Sequence, residues 1–438
     1  MKMISTMALA AALLAGSGVA PAAGKKEVPQ PESATNFILS KQVRDSALAA
    51  NLALKAGDLQ AAGSAVAAVE ASASNDSERF IAKTLRVKLL SKSPQNVQSM
   101  SALIKPLDEL IVDPRTSKDD VARYNYTRGD IAYAQKLYAR AAQYYIQARQ
   151  NGLQDDELGL QVVRAYMEAG NVTAGAEALD GLIAAQVAAG KKPPESWYRF
   201  AAQRLRTKKA PEAVAWTGKW LAAYGTRANW HDAIAINGFK DEDESQLTPA
   251  ERLERNRRFV DLLRLMRVTH SLAGQKEYTD YAKRANSLGL KDEARSVIEE
   301  GRASGAIPAK DTETTQILAQ TGRPAAKGKA KAKPVPAAAA AAAPSDTAAR
   351  KAKDGELAMQ LGDVSIGQAA YAKAVEMYDL ALEKTVKDTD TLRLHRGIAY
   401  ALAGDKEKAR SDFDAVTQSP VRETAQLWTI WLESPPAA

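Results

Sequence analysis

The chain has 438 residues, no cysteine, 6% aromatic content and a net charge of +8. Without cysteine, disulfides, thiolate metal sites and a catalytic thiol are excluded, and few aromatics with abundant alanine suit packed helices better than β-sandwiches. The charge is local: Arg323, Lys327, Lys329, Lys331, Lys333, Arg350, Lys351 and Lys353, set against Asp346 and Asp354, leave +6 in 323–354, so the rest carries no basic nucleic-acid footprint.

Met1–Ala23 has the parts of an export signal: Lys2, an apolar run from Met7 to Ala15, then Ala20-Pro21-Ala22. Cleavage is expected near Ala22/Ala23, which implies a periplasmic or secreted protein if the source is bacterial. The apolar run falls short of the ~20 residues a spanning helix needs. Residues 24–35 are polar and proline-rich, and are expected to be a disordered tail.

Helical spacing begins near Asn36. Ala50, Gly57-Asp58, Leu59, Ala62 and Val66 place small residues and a turn where two helices meet. Asp76–Ile111 gives a weaker pair that turns at Ser93-Pro94. In Ala122–Asp155, Gly129, Tyr138, Ala141, Tyr145 and Ala148 mark a clear unit. Asp156–Gln186 follows 34 residues later with Tyr166, Gly170-Asn171 and Gly175. A further unit opens at Pro194 with Trp197, Ala201 and Ala213, and Trp216 and Trp220 share one helix face as packing residues. Asn229–Leu272 breaks the period: an acidic run, Asp241–Glu244, reads as a solvated loop. Thr248-Pro249-Ala250-Glu251 then reads as a capping box opening a basic helix through Arg267. Gln275–Ala306 resumes the pattern, and Thr312–Gln320 is one more helix. Residues 321–354, with alternating Lys and Ala and seven alanines at Ala337–Ala343, are expected to be a flexible linker. Contact of this basic segment with anionic cell-wall polymer or lipid is a sharper expectation. Finally Leu361-Gly362, Tyr371, Ala374, Tyr378 and Ala381, then Gly397, Tyr400, Gly404-Asp405, Ala409 and Phe413, form two successive units.

The period of about 34 residues and these offsets resemble the tetratricopeptide repeat family, most closely over 355–423. The resemblance implies an all-α fold: a tetratricopeptide-like helix–turn–helix solenoid over 36–320, the linker at 321–354, and a two-repeat module over 355–438. It also implies binding in the inner groove of the superhelix. The groove positions it marks as partner-binding include Arg123, Tyr126, Asp130, Tyr133, Arg164, Met167 and Tyr198. In the C-terminal pair they are Glu356, Met359, Asp363, Ile366, Thr391, Leu394, Ile398, Ala401 and Leu402, which lack the Lys and Asn set that clamps a C-terminal carboxylate and suit an apolar helix or strand as guest.

Motifs of catalysis are sparse. Phosphate-cradling loops, nucleophile elbows and zinc helices are absent from the sequence. His231, His270 and His395 are far apart with no second ligand at metal spacing, and His395, mid-helix, reads as a surface residue. No cofactor or metal site is expected. The expected function is a non-enzymatic scaffold or adaptor of the bacterial envelope that binds a protein or peptide. The alternative is an enzyme or enzyme subunit acting on cell-wall glycan through dispersed carboxylates.

Overall fold

Glycine and alanine at fixed offsets let neighbouring helices approach closely, and the computed structural model shows what they accommodate. It describes residues 37–94, 96–239, 246–322 and 344–436, in which every regular element is a helix. The expected export signal, the N-terminal tail, the run Asp241–Glu244 and 323–343 of the linker lie outside the described residues. The chain divides into two compact units at Ala178/Leu179.

The first unit contains α1 (Lys41–Ala56), α2 (Leu59–Ser72), α3 (Asp76–Lys92), α4 (Val97–Ile111), α5 (Lys118–Ala134), α6 (Tyr138–Gln150) and α7 (Asp156–Glu168); the division falls within α8 (Val172–Ala188). Each helix from α1 to α7 packs on the next. Gly57 caps α1 at φ 79°, in the left-handed region, and Asp58 then caps α2 through the Ala61 N–H. The buried Glu78 closes a capping box with Asn75 and accepts from the Ser40 and Ser74 backbone N–H groups at 2.7 and 2.8 Å. These bonds tie the start of α1 to the start of α3 and hold the Glu78 carboxyl down at about 2.

The second unit contains α9 (Glu195–Thr207), α10 (Ala213–Ala223), α11 (Arg227–Gly238), α12 (Pro249–Val268), α13 (Gly274–Ser287), α14 (Lys291–Ala303), α15 (Thr312–Gln320), α16 (Asp346–Lys351), α17 (Glu356–Gly367), α18 (Tyr371–Lys384), α19 (Thr389–Ala403), α20 (Lys406–Asp414) and α21 (Val421–Glu433). The expected capping box is present: the Thr248 hydroxyl accepts from the Glu251 N–H, and Pro249 opens α12. Two expectations change here. Within 344–354, expected as linker, Asp346–Lys351 forms α16, and the Lys384 ammonium donates to the carbonyls of Ala349 and of Ala352, the residue that caps it. The boundary expected at the linker is also displaced, because α17 packs on α14 and α21 packs on α10, α11 and α12. The helices on either side of 323–343 therefore belong to one compact unit.

Three helix pairs share one contact. A Cβ added at Gly129 would lie 2.4 Å from the Tyr145 ring, at Gly362 2.5 Å from Tyr378, and at Gly397 2.6 Å from Phe413. Only a missing side chain lets the ring come so close to the partner helix. After the first two glycines comes an aspartate. Tyr145 donates to Asp130 at 2.8 Å and Tyr378 donates to Asp363 at 2.7 Å.

His395, expected at the surface, is 3% exposed. Its Nδ1 lies 2.6 Å from Asp363 and its Nε2 3.1 Å from Asp261 of α12. Arg264 bonds Asp261 at 3.0 Å and grips Glu293 of α14 with two bonds, at 2.8 and 2.7 Å, while Tyr281 of α13 donates to the same carboxylate. The Trp428 indole of α21 adds a bond to the Asp261 carbonyl oxygen at 3.3 Å. Burial disfavours the imidazolium, but the two carboxylates outweigh it and raise His395 to about 10. The apolar groove positions of the C-terminal repeats, Met359, Ile366, Leu394 and Ile398, are buried in the same unit.

Two outcomes follow from this packing. If a protease site replaces part of 323–343, cleavage should leave two fragments that co-elute in size exclusion; fragments that separate would show that the α14–α17 and α21 contacts do not hold the unit together. His395 is raised from 6.5 to about 10 on folding, so its stabilisation is full below about pH 6.5 and is lost as pH rises through 10. Unfolding free energy should therefore fall between pH 7 and 9.5, with a slope approaching ~1.4 kcal/mol per pH unit. Urea titrations of His395→Gln should show that slope reduced.

Candidate partner-binding site

The site expected from the sequence centres on α5 and the start of α7. In α5 the apolar side turns inward with Ala122, Tyr124, Ile131 and Ala132 buried, and this leaves Tyr126, Asp130 and Tyr133 half-buried on another face. Arg128 points away from that face. It pairs with Asp108 of α4 at 2.6 Å, bonds the Tyr144 hydroxyl at 3.0 Å and lies 4.7 Å over the Tyr144 ring. It clamps α4, α5 and α6 together and is buried.

Asp130 lies beside two phenols, with Tyr133 one turn further along α5. Tyr145 donates to it from α6, and the Tyr126 and Tyr145 ring centroids are 5.8 Å apart. Tyr133 packs edge-on against Tyr138 at 5.1 Å. Burial pushes the Asp130 carboxyl up to about 6, opposed only by the Tyr145 hydrogen bond. The Tyr126 phenol rises to about 12, through burial first and then through the neighbouring carboxylates of Asp130, Glu157 and Asp155. Tyr145 is driven higher still by burial and by Asp130. A desolvated carboxylate among aromatic rings is thus open to solvent on one side.

The other expected site residues separate into three groups. Arg123 and Arg164 are exposed and paired locally, with Asp120 at 3.3 Å and with Glu157 at 3.2 Å. Met167 is fully buried, and a Cβ at Gly175 would meet its Cγ at 2.9 Å. It fills the contact between α7 and α8 and is not a groove residue. Tyr198, in the second unit, is 7% exposed and packs edge-on against Tyr224 at 6.0 Å. It too is packing. Both corrections have one cause: helical phase decides which side of helix A faces its own helix B, and a counted position can miss it by one residue.

Sequence reasoning missed the buried ions of the second unit. A signal existed: Phe259–Met266 is an apolar run interrupted only by Asp261 and Arg264, three apart and hence on one helix side. Beside them lies a cavity of about 340 Å³ lined by Arg264, Arg267, Glu293 and Glu300, with Ile366 and Tyr371. Its charges are satisfied among themselves, since Arg264 holds Glu293 and Arg267 holds Glu300 at 2.6 Å. Among the described residues no cluster of histidine and acidic side chains is arranged to hold a metal ion, and no helix is long and apolar enough to cross a membrane.

No family profile matches the chain and no curated protein matches it. Solved structures similar to it include the TPR2AB domain of yeast Sti1 in a complex with pHSP90, at 12% identity, covering 71% of this chain and 98% of that one with a TM-score of 0.23. The TPR domain of P58(IPK) shares 14% identity over 89% of this chain and 98% of its own, with a TM-score of 0.23. The pentatricopeptide repeat protein PPR10 from maize shares 13% identity over 90% of this chain and 56% of its own, with a TM-score of 0.28. These neighbours are helical-repeat proteins.

The electrostatics of Asp130 give a stability test. Its folded value, about 6, lies above the ordinary 3.8, so its contribution is full below about pH 3.8 and is lost as pH rises through 6. At pH 7.5 the ionised carboxylate therefore destabilises the fold. Asp130→Asn, which still accepts from Tyr145, should raise unfolding free energy at pH 7.5 by about 1–3 kcal/mol. The gain should shrink toward pH 5. A variant less stable than the parent at pH 7.5 would contradict this.

Proposed function

We propose that the chain is a non-enzymatic scaffold that holds an extended peptide or a helix of a partner protein along the α5–α7 face of its first unit. The observation that carries this reading is the division of labour on α5. Gly129, with Ala141 and Tyr145 of α6, makes the contact between the helices and is buried, while Tyr126, Asp130 and Tyr133 stand half-buried beside it. Rigid aromatic side chains next to a desolvated polar group are what binding surfaces use as anchors. The solved neighbours lend this no partner. The proposed setting, the envelope of a bacterium, rests on the export pattern of Met1–Ala23, and the basic run before α16 is proposed to touch anionic cell-wall polymer or lipid.

The test separates binding from folding. Peptides selected on the full chain from a random displayed library should lose about tenfold or more in affinity with Tyr133→Ala, while its thermal unfolding changes little. Ala141→Leu, which overpacks a fully buried contact, should cost about 1–3 kcal/mol of stability. If Tyr133→Ala unfolds the protein as badly as Ala141→Leu, the tyrosine is core and the binding face is misassigned.

A further inference from the structure

The chain contains its own precedent for what the Asp130 position takes. In two helix pairs a glycine is followed by an aspartate, and a tyrosine sixteen residues beyond the glycine lies on it and donates to the aspartate: Gly129, Asp130 and Tyr145 in the first unit, Gly362, Asp363 and Tyr378 in the second. In the second the aspartate has a cationic partner. His395, seventeen residues beyond the tyrosine and seventh in α19, reaches Asp363 at 2.6 Å. Counted in the same way, seventeen beyond Tyr145 and seventh in α7, the first unit has Val162, an apolar residue in the core beside Tyr145. The carboxylate is kept and the cation is not.

The nearby cations of the first unit are engaged elsewhere: Arg128 by Asp108, Arg123 by Asp120 and Arg164 by Glu157. What surrounds Asp130 is aromatic and acidic, with Tyr126, Tyr133 and Tyr145 close together and Glu157 and Asp155 acting on the Tyr126 phenol. A ring face attracts a cation through its quadrupole, and the attraction strengthens as water is excluded. A carboxylate in the same recess adds an ion pair with little loss of hydration, since folding has already removed much of it. An anionic ligand would be repelled by that carboxylate, and a purely apolar one would bury its charge with the Tyr145 hydroxyl but without a counter-ion.

We propose that Asp130, held in place by the buried Tyr145 hydroxyl, and the half-buried rings of Tyr126 and Tyr133 form a cage for a basic side chain, lysine or arginine, of the partner segment, supplying in trans the cation that His395 supplies within the C-terminal repeats. This rests on the peptide-binding reading and specifies the partner's chemistry. It is tested with two fluorescein-labelled pentapeptide pools on the full chain, one with a central arginine and one with citrulline, which keeps the shape and removes the charge. The flanking positions are drawn from Ala, Leu and Ser. Anisotropy should show the arginine pool binding at least tenfold more tightly, and Asp130→Asn should erase the difference while circular dichroism is unchanged. Tyr126→Leu, which removes a ring and leaves the carboxylate, should reduce it severalfold and provides a second reading if the first variant folds poorly. Equal binding of both pools would overturn the cage and leave the peptide-binding face standing. Discrimination that survives in Asp130→Asn would also overturn it. Binding of neither pool would overturn both readings together.

Discussion

An aromatic ring packed directly against a glycine is the contact on which three of the helix pairs depend. With no Cβ in the way, helix B sits close enough for its ring to cover the backbone of helix A, and a single methyl at the glycine would drive into the ring. The same closeness fixes the neighbouring chemistry. When the ring is a tyrosine and aspartate follows the glycine, the phenol bonds that carboxylate, so a packing contact positions a polar group. Where Phe413 and Ile398 take those places, the contact is wholly apolar. One geometry thus yields a paired ion at Asp363, a half-buried acid at Asp130 and a dry seam at Gly397.

The ionic cluster around Asp261 belongs to a different class of interaction. Removing three carboxylates, a guanidinium and an imidazole from water is expensive, and packed aliphatic side chains would often serve stability as well. What the ions supply is selectivity. Arg264 must meet Glu293 with both nitrogens, and His395 must meet one carboxylate with each ring nitrogen. A docking shifted by one helical turn would strand those charges. The C-terminal repeats therefore have one acceptable seat on α12 and α14, which apolar surfaces alone would define less sharply.

Much of the architecture was legible in the sequence, because small residues, aromatics and turn glycines recur at offsets that a helix pair requires. Gly57, Gly129, Gly362 and Gly404 each do what their position suggests. The capping box at Thr248 was readable for the same reason: it is a local device. The failures were non-local. His395 is separated from Asp261 by 134 positions in the chain, and nothing in its own helix reveals the partner. The C-terminal repeats read as an independent module because linker composition says nothing about which surfaces meet beyond it. Of the groove positions expected from the repeat pattern, Tyr126, Asp130 and Tyr133 are half-buried on α5, whereas Met167 and Tyr198 are buried.

The placement of α21 bears on the order in which the chain can fold as it is synthesised. In the first unit each helix packs on the one just before it, so pairs can form as they emerge, with little loop closure to overcome. The second unit cannot finish that way. Trp428 and its neighbours cover α10, α11 and α12, which are made long before them, and until α21 exists those helices expose apolar surface. The first unit can therefore mature progressively, while the second must wait, partly open and in need of protection, for α21.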